Sequence, residues 1–286
     1  MTATKRDRWR IGTVKFLNAA PLGFGLDRRD DVRLVSEVPS RLSEMLERDE
    51  LDAALLPVIS YFRQTAEARE RHRHRPLVIV PGISIASCGP AESVLLFCRA
   101  DYPLIRHVAL DPASQTSNCL VRMILKETYG REPHYRWPMP DPAIEDRESD
   151  AFLLIGDAAL ARPQHDFYHV LDLGLAWRRL TGLPMVYAVW AARESDHLAA
   201  LSAILSEAKA AGLAARDELA REGAARIGIR EEAARRYLYE TMHYDLGPEA
   251  LAGLQRFYRW SADQELAPRH IPLVMAGRPS AAEETP

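Results

Sequence analysis

Two apolar segments, ISIASCGPAESVLLFC at residues 83–98 and MVYAVW at residues 185–190, decide the fold that we expect for this chain. The first segment passes through a Gly-Pro turn and continues as a strand from Ser93 to Cys98, and the second leads into a helical C-terminal third. Both have the length and the turn boundaries of buried strands. We interpret them as the strands on which the chain leaves one folded unit and returns to it.

This interpretation predicts two lobes. One lobe contains residues 1–98 and 186–286, including the C-terminal helices, and the inserted second lobe contains residues 99–185. Two lobes joined by two crossing strands enclose a cleft, and such clefts bind small molecules when the hinge closes.

Short apolar runs alternate with helical patterns through the first two thirds of the chain, as in IGTVKF, AALLPV, HVALD and AFLLIGDAAL. This alternation is typical of βαβ units and predicts a mostly parallel sheet with covered faces. From Ser195 onward helical periodicity dominates, with Leu198, Leu201, Ile204 and Leu205 on one face. The sequence therefore predicts an α/β fold with a C-terminal helical segment.

Composition excludes several classes of protein and several kinds of partner. The 286 residues are 47% hydrophobic and 27% charged, which excludes disordered and fibrous chains. The 37 Lys and Arg against 40 Asp and Glu give a formal charge of -3, so nothing favours nucleic acid or an anionic membrane as a partner. We expect a small-molecule partner, and the sequence does not determine an oligomeric state.

The common cofactor and metal signatures are absent. The chain contains no GxGxxG, GxxxxGK[ST], HExxH or GxSxG motif, so we expect no cofactor and no metal. His72 and His74 alone make a poor metal site. Cys88, Cys98 and Cys119 are too scattered for a disulfide framework, and reduced thiols predict a cytoplasmic location. Cys88 has no His or acidic partner at a recognisable spacing, so we do not expect it to be a nucleophile.

Small polar residues follow several of the expected strands. Asn18 follows the first strand and is a candidate either to cap the next helix or to meet a ligand hydroxyl through its amide. Ser40 opens a short helix, where a serine caps the helix and a free N-terminus attracts carboxylates. Ser87 and Gly89 lie in the turn before the crossing strand, where Ser87 either satisfies the turn or contacts the ligand.

The richest cluster of hydroxyl groups is the stretch DPASQTSN at residues 111–118, between an expected strand and an expected helix. Its Ser, Thr and backbone N–H groups suit a carboxylate or phosphate, although redundant helix capping is the alternative. Asp157, at another strand end, is a candidate to cap a helix, to bind a ligand or to act as a base. The candidate ligand-binding residues of these two stretches are Ser114, Gln115, Thr116, Ser117 and Asp157.

Seven ordered motifs together resemble the chorismate dehydratase family of menaquinone biosynthesis, in the futalosine pathway. They span roughly residues 11–192 and comprise IGTVKFLNAAPL, VPSRLSEML, LDAALLPVISY, IAS-GP-SVLLF, D-SQTS, IGDAAL, and DLG-W joined to TGLP-VYAVW. The resemblance implies a periplasmic-binding-protein-like fold of the second type that works in the cytoplasm without a cofactor. It also implies a lyase that removes water from chorismate to give 3-[(1-carboxyvinyl)oxy]benzoate.

The implied chemistry gives the polar turns expected roles. Asn18 and Ser87 are the expected catalytic residues, which orient the ring and the leaving hydroxyl. One chorismate carboxylate is assigned to the turn at residues 114–117 and the other to the region of Ser40 or Ser87. Asp157 and Asp111 are the acidic candidates for the base, and the alternative is that the enolpyruvyl carboxylate of the substrate removes the C3 proton itself.

Two other functions remain open. A binding or sensor protein with the same architecture would close on a carboxylate ligand without chemistry, and fold alone does not separate it from an enzyme. The related 1,4-dihydroxy-6-naphthoate synthase of the same pathway is less favoured, because the FLNAAPL turn and the TGLP segment resemble the dehydratase instead.

Overall fold

The structure, a computed structural model, describes residues 8–71, 77–130, 132–137 and 148–277. His72 and His74, the weak candidates for a metal pair, lie outside the described residues. The strands are β1 (Trp9–Thr13), β2 (Val32–Ser36), β3 (Ala53–Pro57), β4 (Leu77–Ser87), β5 (Val94–Cys98), β6 (His107–Ala109), β7 (His134–Arg136), β8 (Ala151–Ile155), β9 (His169–Asp172), β10 (Met185–Arg193) and β11 (Met242–His243). The helices are α1 (Ala20–Gly23), α2 (Pro39–Glu47), α3 (Val58–Glu70), α4 (Gln115–Tyr129), α5 (Gly156–Ala161), α6 (Leu173–Thr181), α7 (Leu198–Ala214), α8 (Arg216–Ile227), α9 (Glu231–Arg236) and α10 (Pro248–Asp263), and a π-helical turn spans Tyr237–Thr241.

The first lobe is built on a six-stranded sheet in the order β11-β4-β10-β3-β1-β2. β1 pairs in parallel with β2 and β3, whereas β10 runs antiparallel to both β3 and β4. Every residue of β3 is buried, as expected for a strand whose two faces are covered. The expected mostly parallel sheet is therefore wrong, because the strand on which the chain returns enters the middle of this sheet in the opposite direction.

The second lobe is a five-stranded sheet in the order β7-β6-β8-β5-β9. β5 pairs antiparallel with β8 and β9, so Val94–Cys98 belongs to this sheet and not to the first. The chain therefore passes from the first lobe to the second between residues 87 and 94, and the lobe boundary lies there instead of at the predicted residue 98. An apolar run between turns identifies a strand, but its partners are distant in sequence, and the sequence does not say which sheet the strand joins.

The two crossings are tied to each other by Asp172, the N-cap of α6. Its carboxylate accepts hydrogen bonds from the backbone N–H groups of Ala91 (2.9 Å), Glu92 (2.8 Å) and Leu175 (3.0 Å). Trp177 is fully buried, and its indole N–H donates to the Pro184 carbonyl at 3.1 Å. This contact between the two ends of the segment WRRLTGLP (residues 177–184) fixes the second crossing in place.

The C-terminal helices pack on the first lobe and reach the first crossing. β11 pairs with the end of β4 next to Ser87, and the π-helical turn precedes it directly. No single described helix is long and apolar enough to span a membrane, and only the bent pair Leu198–Ala214 and Arg216–Ile227, with a 77° angle, meets that criterion jointly.

Candidate functional site

A cavity lies between the two lobes at the carboxyl ends of several strands. Its empty volume is about 540 Å³, which includes its opening to solvent, and this size suits a small organic ligand. Both sheets, the first crossing and the start of α4 contribute to it. The lining residues are Val14, Phe16, Asn18, Pro39, Leu55, Pro57, Ile85, Ser93, Val94, Ala113, Ser114, Ser117, Ile155, Gly156, Tyr187 and Ala188.

Two of the predicted hydroxyl groups line this cavity. Ser114 is the N-cap of α4, and its Oγ accepts a hydrogen bond from the Ser117 N–H at 3.1 Å. The same Oγ donates to the Ser117 Oγ at 2.8 Å. Because the Ser117 hydroxyl is thus an acceptor toward Ser114, its own proton has no acceptor among the described residues and can be donated to a ligand.

The neighbouring residues Gln115 and Thr116 do not line the cavity. Thr116 is fully buried, and its Oγ1 accepts from the backbone N–H of Ile59 at 3.3 Å. The Gln115 Oε1 accepts from Arg63 Nη1 at 2.6 Å. Both contacts join α4 of the second lobe to α3 of the first, because successive residues of a helix point in different directions. The assignment of these two residues to ligand binding remains a prediction that this geometry does not favour.

Asp111 holds the same turn in place through hydrogen bonds to the backbone. It is 4% exposed, and its carboxylate accepts from the N–H groups of Ala113 at 2.8 Å and Ile155 at 3.0 Å. Burial raises the pKa of this carboxyl group to about 6, against the lowering effect of those two N–H donors. Asp111 lies behind the lining residues Ala113, Ser114 and Ile155 and holds the α4 turn to the end of β8.

Asn18 lines the cavity from the other lobe. Its Oδ1 is buried and has no hydrogen-bond partner among the described residues. The surrounding lining groups include Phe16, Ser93 and Gly156. Gly156 has a φ of +60°, and a Cβ placed there would lie 2.8 Å from the Phe16 ring, so a side chain at this position would displace the ring.

Ser87 and Gly89 lie behind one cavity wall. Ser87 is 1% exposed, and its Oγ lies 2.9 Å from the hydroxyl of Tyr187 and 3.3 Å from the Gly89 carbonyl. Tyr187 lines the cavity itself, and burial raises its pKa well above the ordinary value. Gly174 permits this packing, because a Cβ there would lie 2.7 Å from the Ser87 Oγ. Ser87 therefore orients Tyr187 in this structure, and its catalytic role remains a prediction.

Ser40 and Asp157 lie outside the cavity lining. Ser40 is exposed in the first turn of α2, whose N-cap is Val38, so the predicted capping role is wrong. Pro39 takes the first helical position, so the helix starts two residues earlier than a serine cap at position 40 implied. Asp157 accepts from the Leu17 N–H at 2.8 Å through Oδ1 and pairs with Arg226 at 2.6 Å through Oδ2. Its carboxylate joins the two lobes and has both oxygens engaged.

Sequence reasoning missed three polar groups, namely Tyr187, Tyr237 and Asp172. Tyr187 lies within the quoted VYAVW motif and Asp172 within DLG, so both were visible as parts of a strand and of a helix start. Tyr237 follows in the Ala-rich helical region, and no local pattern indicates that it reaches Ser93. Among the described residues, no three His, Cys, Asp or Glu side chains converge on a metal-sized site.

The chain is similar in sequence to a known family and to a characterised relative. A family profile described as "Menaquinone biosynthesis" matches residues 9–263. Chorismate dehydratase from Thermus thermophilus is 32% identical over 265 residues, which cover 86% of this chain and 93% of that protein. The resemblance inferred from the seven motifs is thus confirmed.

Solved structures show the same fold at low sequence identity. A protein of Archaeoglobus fulgidus superposes with a TM-score of 0.64 at 17% identity, covering 91% of this chain and 98% of that one. The periplasmic aliphatic sulphonate binding protein of Escherichia coli superposes with a TM-score of 0.63 at 17% identity, covering 94% and 96%. These similarities confirm the expected two-lobed α/β, periplasmic-binding-protein-like fold, and the family match together with the bacterial relative shows that the chain belongs to the menaquinone biosynthesis family.

Proposed function

We propose that this protein is a chorismate dehydratase, a hydro-lyase that converts chorismate to 3-[(1-carboxyvinyl)oxy]benzoate and water. The observation that carries the proposal is the 32% identity to the chorismate dehydratase of Thermus thermophilus over 86% of this chain. The interlobe cavity supports it, because its lining combines apolar walls for a ring with hydroxyl donors for a carboxylate.

The chemistry requires stabilisation of negative charge that spreads from C3 through the ring to the ring carboxylate. A base takes the C3 proton, the electrons of the C3–H bond move into the ring system, and the C4–O bond breaks. The departing hydroxide takes up one proton and leaves as water, which balances the proton removed from C3. Donors that are already in place at the carboxylate lower this barrier. The Ser114–Ser117 turn supplies such donors, and we assign the ring carboxylate to it.

The two carboxylates that were candidates for the base, Asp157 and Asp111, already bind other groups of the protein. Both oxygens of Asp157 are engaged by Leu17 and Arg226, and both oxygens of Asp111 accept backbone N–H groups. Neither residue lines the cavity. These contacts support the alternative in which the enolpyruvyl carboxylate of the substrate takes the C3 proton and the protein orients the ring.

We also propose that the protein works in the cytoplasm. Its three cysteines are free, and Cys98 and Cys119 are buried among the core residues. Free thiols of this kind are typical of reducing compartments.

The decisive experiment is incubation of the purified protein with chorismate while ultraviolet absorbance is followed and the product is identified by NMR. Formation of the aromatic ether is the expected result, and unchanged chorismate would contradict the proposal. Ser117→Ala is expected to lower kcat/KM by about 10²-fold to 10³-fold, the effect of removing one preformed donor. Ser206→Ala, an exposed serine on α7, is the matched control and should leave kcat/KM unchanged.

A second candidate is a binding or sensor protein, because the solved structures that share the fold include the periplasmic aliphatic sulphonate binding protein of Escherichia coli. It predicts saturable binding of chorismate without any aromatic product. The same incubation tests a 1,4-dihydroxy-6-naphthoate synthase, which would leave chorismate unchanged.

A further inference from the structure

A second cavity adjoins another face of α4, and no step of the proposed reaction uses it. Its empty volume is about 490 Å³, which includes its opening to solvent. Among its lining residues are Arg63, Gln115, Cys119, Arg122, Trp137 and Leu266. We call it the arginine cavity and propose that it binds a small oxyanion, a carboxylate or a phosphate group, between Arg63 and Arg122.

The helical spacing places three of these groups on one face of α4. Gln115, Cys119 and Arg122 are separated by four and three residues, so their side chains follow one another along the helix. Ser114 and Ser117, which line the interlobe cavity, lie on a neighbouring face. The two cavities therefore share one helix but none of the lining residues that the structure describes.

Arg122 is a cation without a counter-charge among the described residues. Its guanidinium lies over the ring of Tyr135, with 4.5 Å between the Cζ atom and the ring centroid. Its Nε is buried and has no hydrogen-bond partner in the part of the chain that the structure describes. A buried donor without an acceptor costs free energy, and an oxyanion in the cavity would remove that cost. Stacking on Tyr135 already orients the guanidinium plane, whose fork of N–H groups matches a carboxylate or a phosphate.

Arg63 supplies the second cation from the other lobe. Its Nη1 donates to the Gln115 Oε1 at 2.6 Å, and its Nη2 donates to the Leu266 carbonyl at 3.3 Å. Both acceptors are neutral, so no described carboxylate compensates the charge of Arg63. These two bonds orient the guanidinium and leave further N–H groups for a ligand, and the Gln115 NH₂ group is an additional donor beside it.

The charges that line the arginine cavity give it a positive field. Burial raises the pKa of the Cys119 thiol to about 11, and Arg63 and Arg122 both oppose that rise, so both charges act at the same part of the lining. Glu265 also lines the cavity, but its side chain is 84% exposed and its carboxylate lies 3.7 Å from Arg269. The charge of Glu265 is therefore solvated and paired, which leaves the two arginines to attract an anion.

The arginine cavity spans a contact between the two lobes. Arg63 lies on α3 of the first lobe and Arg122 on α4 of the second. An anion that both residues hold stabilises the arrangement in which the lobes touch. The amide of Ile59 reports this arrangement, because it lies in the first turn of α3 and donates across the contact to the Thr116 Oγ1 at 3.3 Å.

The test is a titration followed by the indole N–H resonance of Trp137, an exposed ring at this cavity, assigned by its loss in Trp137→Phe. The probes are sodium benzoate and inorganic phosphate, in separate arms at constant ionic strength. We expect a saturable shift with a Kd of about 1 mM for the better probe. Tighter benzoate identifies a carboxylate carried on a ring, and tighter phosphate identifies a phosphate group. A shift that does not saturate with either probe would overturn the proposal.

Three arginine variants show whether the cavity is the site. Arg122→Gln and Arg63→Gln should each raise the Kd about tenfold or more, because each removes charge-assisted hydrogen bonds. Arg33→Gln removes the same charge from an exposed position on β2, outside both cavities, and should change the Kd less than about twofold. An unchanged Kd in Arg122→Gln and Arg63→Gln, or an equal increase in all three variants, would overturn the proposal. Arg63 is exposed, so its variant decides the question even if Arg122→Gln does not fold.

Hydrogen exchange of the Ile59 amide tests the bridge between the lobes. With the better probe at ten times its Kd, exchange should slow about tenfold in the wild type and about twofold or less in Arg122→Gln. Binding without slowing, or equal slowing in both proteins, would overturn a bridging anion in this cavity. Neither measurement contains chorismate, so failure of the dehydratase function would leave this proposal intact, and failure of this proposal would leave the dehydratase function untouched.

Discussion

The contact of Asp157 with Leu17 and Arg226 predicts a defect in lobe closure when the carboxylate is removed. Asp157 lies on α5 of the second lobe, and both of its partners belong to the first. The side chain of Asp157 is 17% exposed and that of Arg226 is 52% exposed. The ion pair is therefore well screened, whereas the bond from the Leu17 N–H to the carboxylate is the stronger contact.

The magnitudes follow from this difference. A hydrogen bond to a charged group contributes about 1.5–3 kcal/mol, and a solvated ion pair about 0.5 kcal/mol. Loss of both in Asp157→Ala should disfavour the closed form by about 2 kcal/mol, which is a factor of about 30 in the closing equilibrium. We expect KM for chorismate to rise by about tenfold to thirtyfold, with kcat within about threefold of the wild type.

Asp157→Asn distinguishes a closing contact from a catalytic base. Asparagine can still accept from Leu17 and loses only the ion pair, so KM should rise by about twofold to threefold, and Arg226→Ala should do the same. The assay is steady-state kinetics, together with hydrogen exchange of the Leu17 amide, which should be faster in Asp157→Ala. Arg235→Ala is the control, since Arg235 pairs with Asp217 at 3.4 Å within the C-terminal helices. A loss of about 10³-fold or more in kcat for Asp157→Asn at unchanged KM would refute this reasoning and identify a protein base.

Three other outcomes are expected. The folded pKa of Asp111 is about 6, above its unfolded value, so the wild type should gain stability relative to Asp111→Asn as the pH falls from 7 to 4. The gain in the free energy of unfolding should be about 3 kcal/mol at most, measured by urea unfolding. A difference between the two proteins that does not change with pH would contradict the burial argument. Gly156→Ala should lower the free energy of unfolding by about 1–3 kcal/mol and weaken ligand binding, because a Cβ meets the Phe16 ring at positive φ; an unchanged melting temperature would exclude this strain. Cys88 is exposed and the other two cysteines are buried, so a thiol reagent should label one cysteine in the native protein without loss of activity, whereas inactivation would give Cys88 a role.

Local patterns in the sequence were sufficient to predict where several strands end and which residues form part of the site. Asn18 and the Ser114–Ser117 turn were found because small polar residues after an apolar strand meet at the carboxyl edge of a sheet. Gln115 and Thr116, in the same turn, face the lobe contact instead of the cavity. Adjacent residues of one turn look equally suitable in a sequence, and only the direction of each side chain separates them.

The sequence by itself determined the α/β class, the two-lobed arrangement and the family, because these depend on apolar periodicity and on ordered motifs within the chain. Tertiary structure alone decided that Val94–Cys98 joins the second sheet, that Asp157 links the lobes, and that Tyr237 reaches Ser93 across 144 positions of the chain. The physical reason is that strand pairing and hydrogen bonding between distant residues depend on which surfaces the folded core brings together, and no local pattern encodes that.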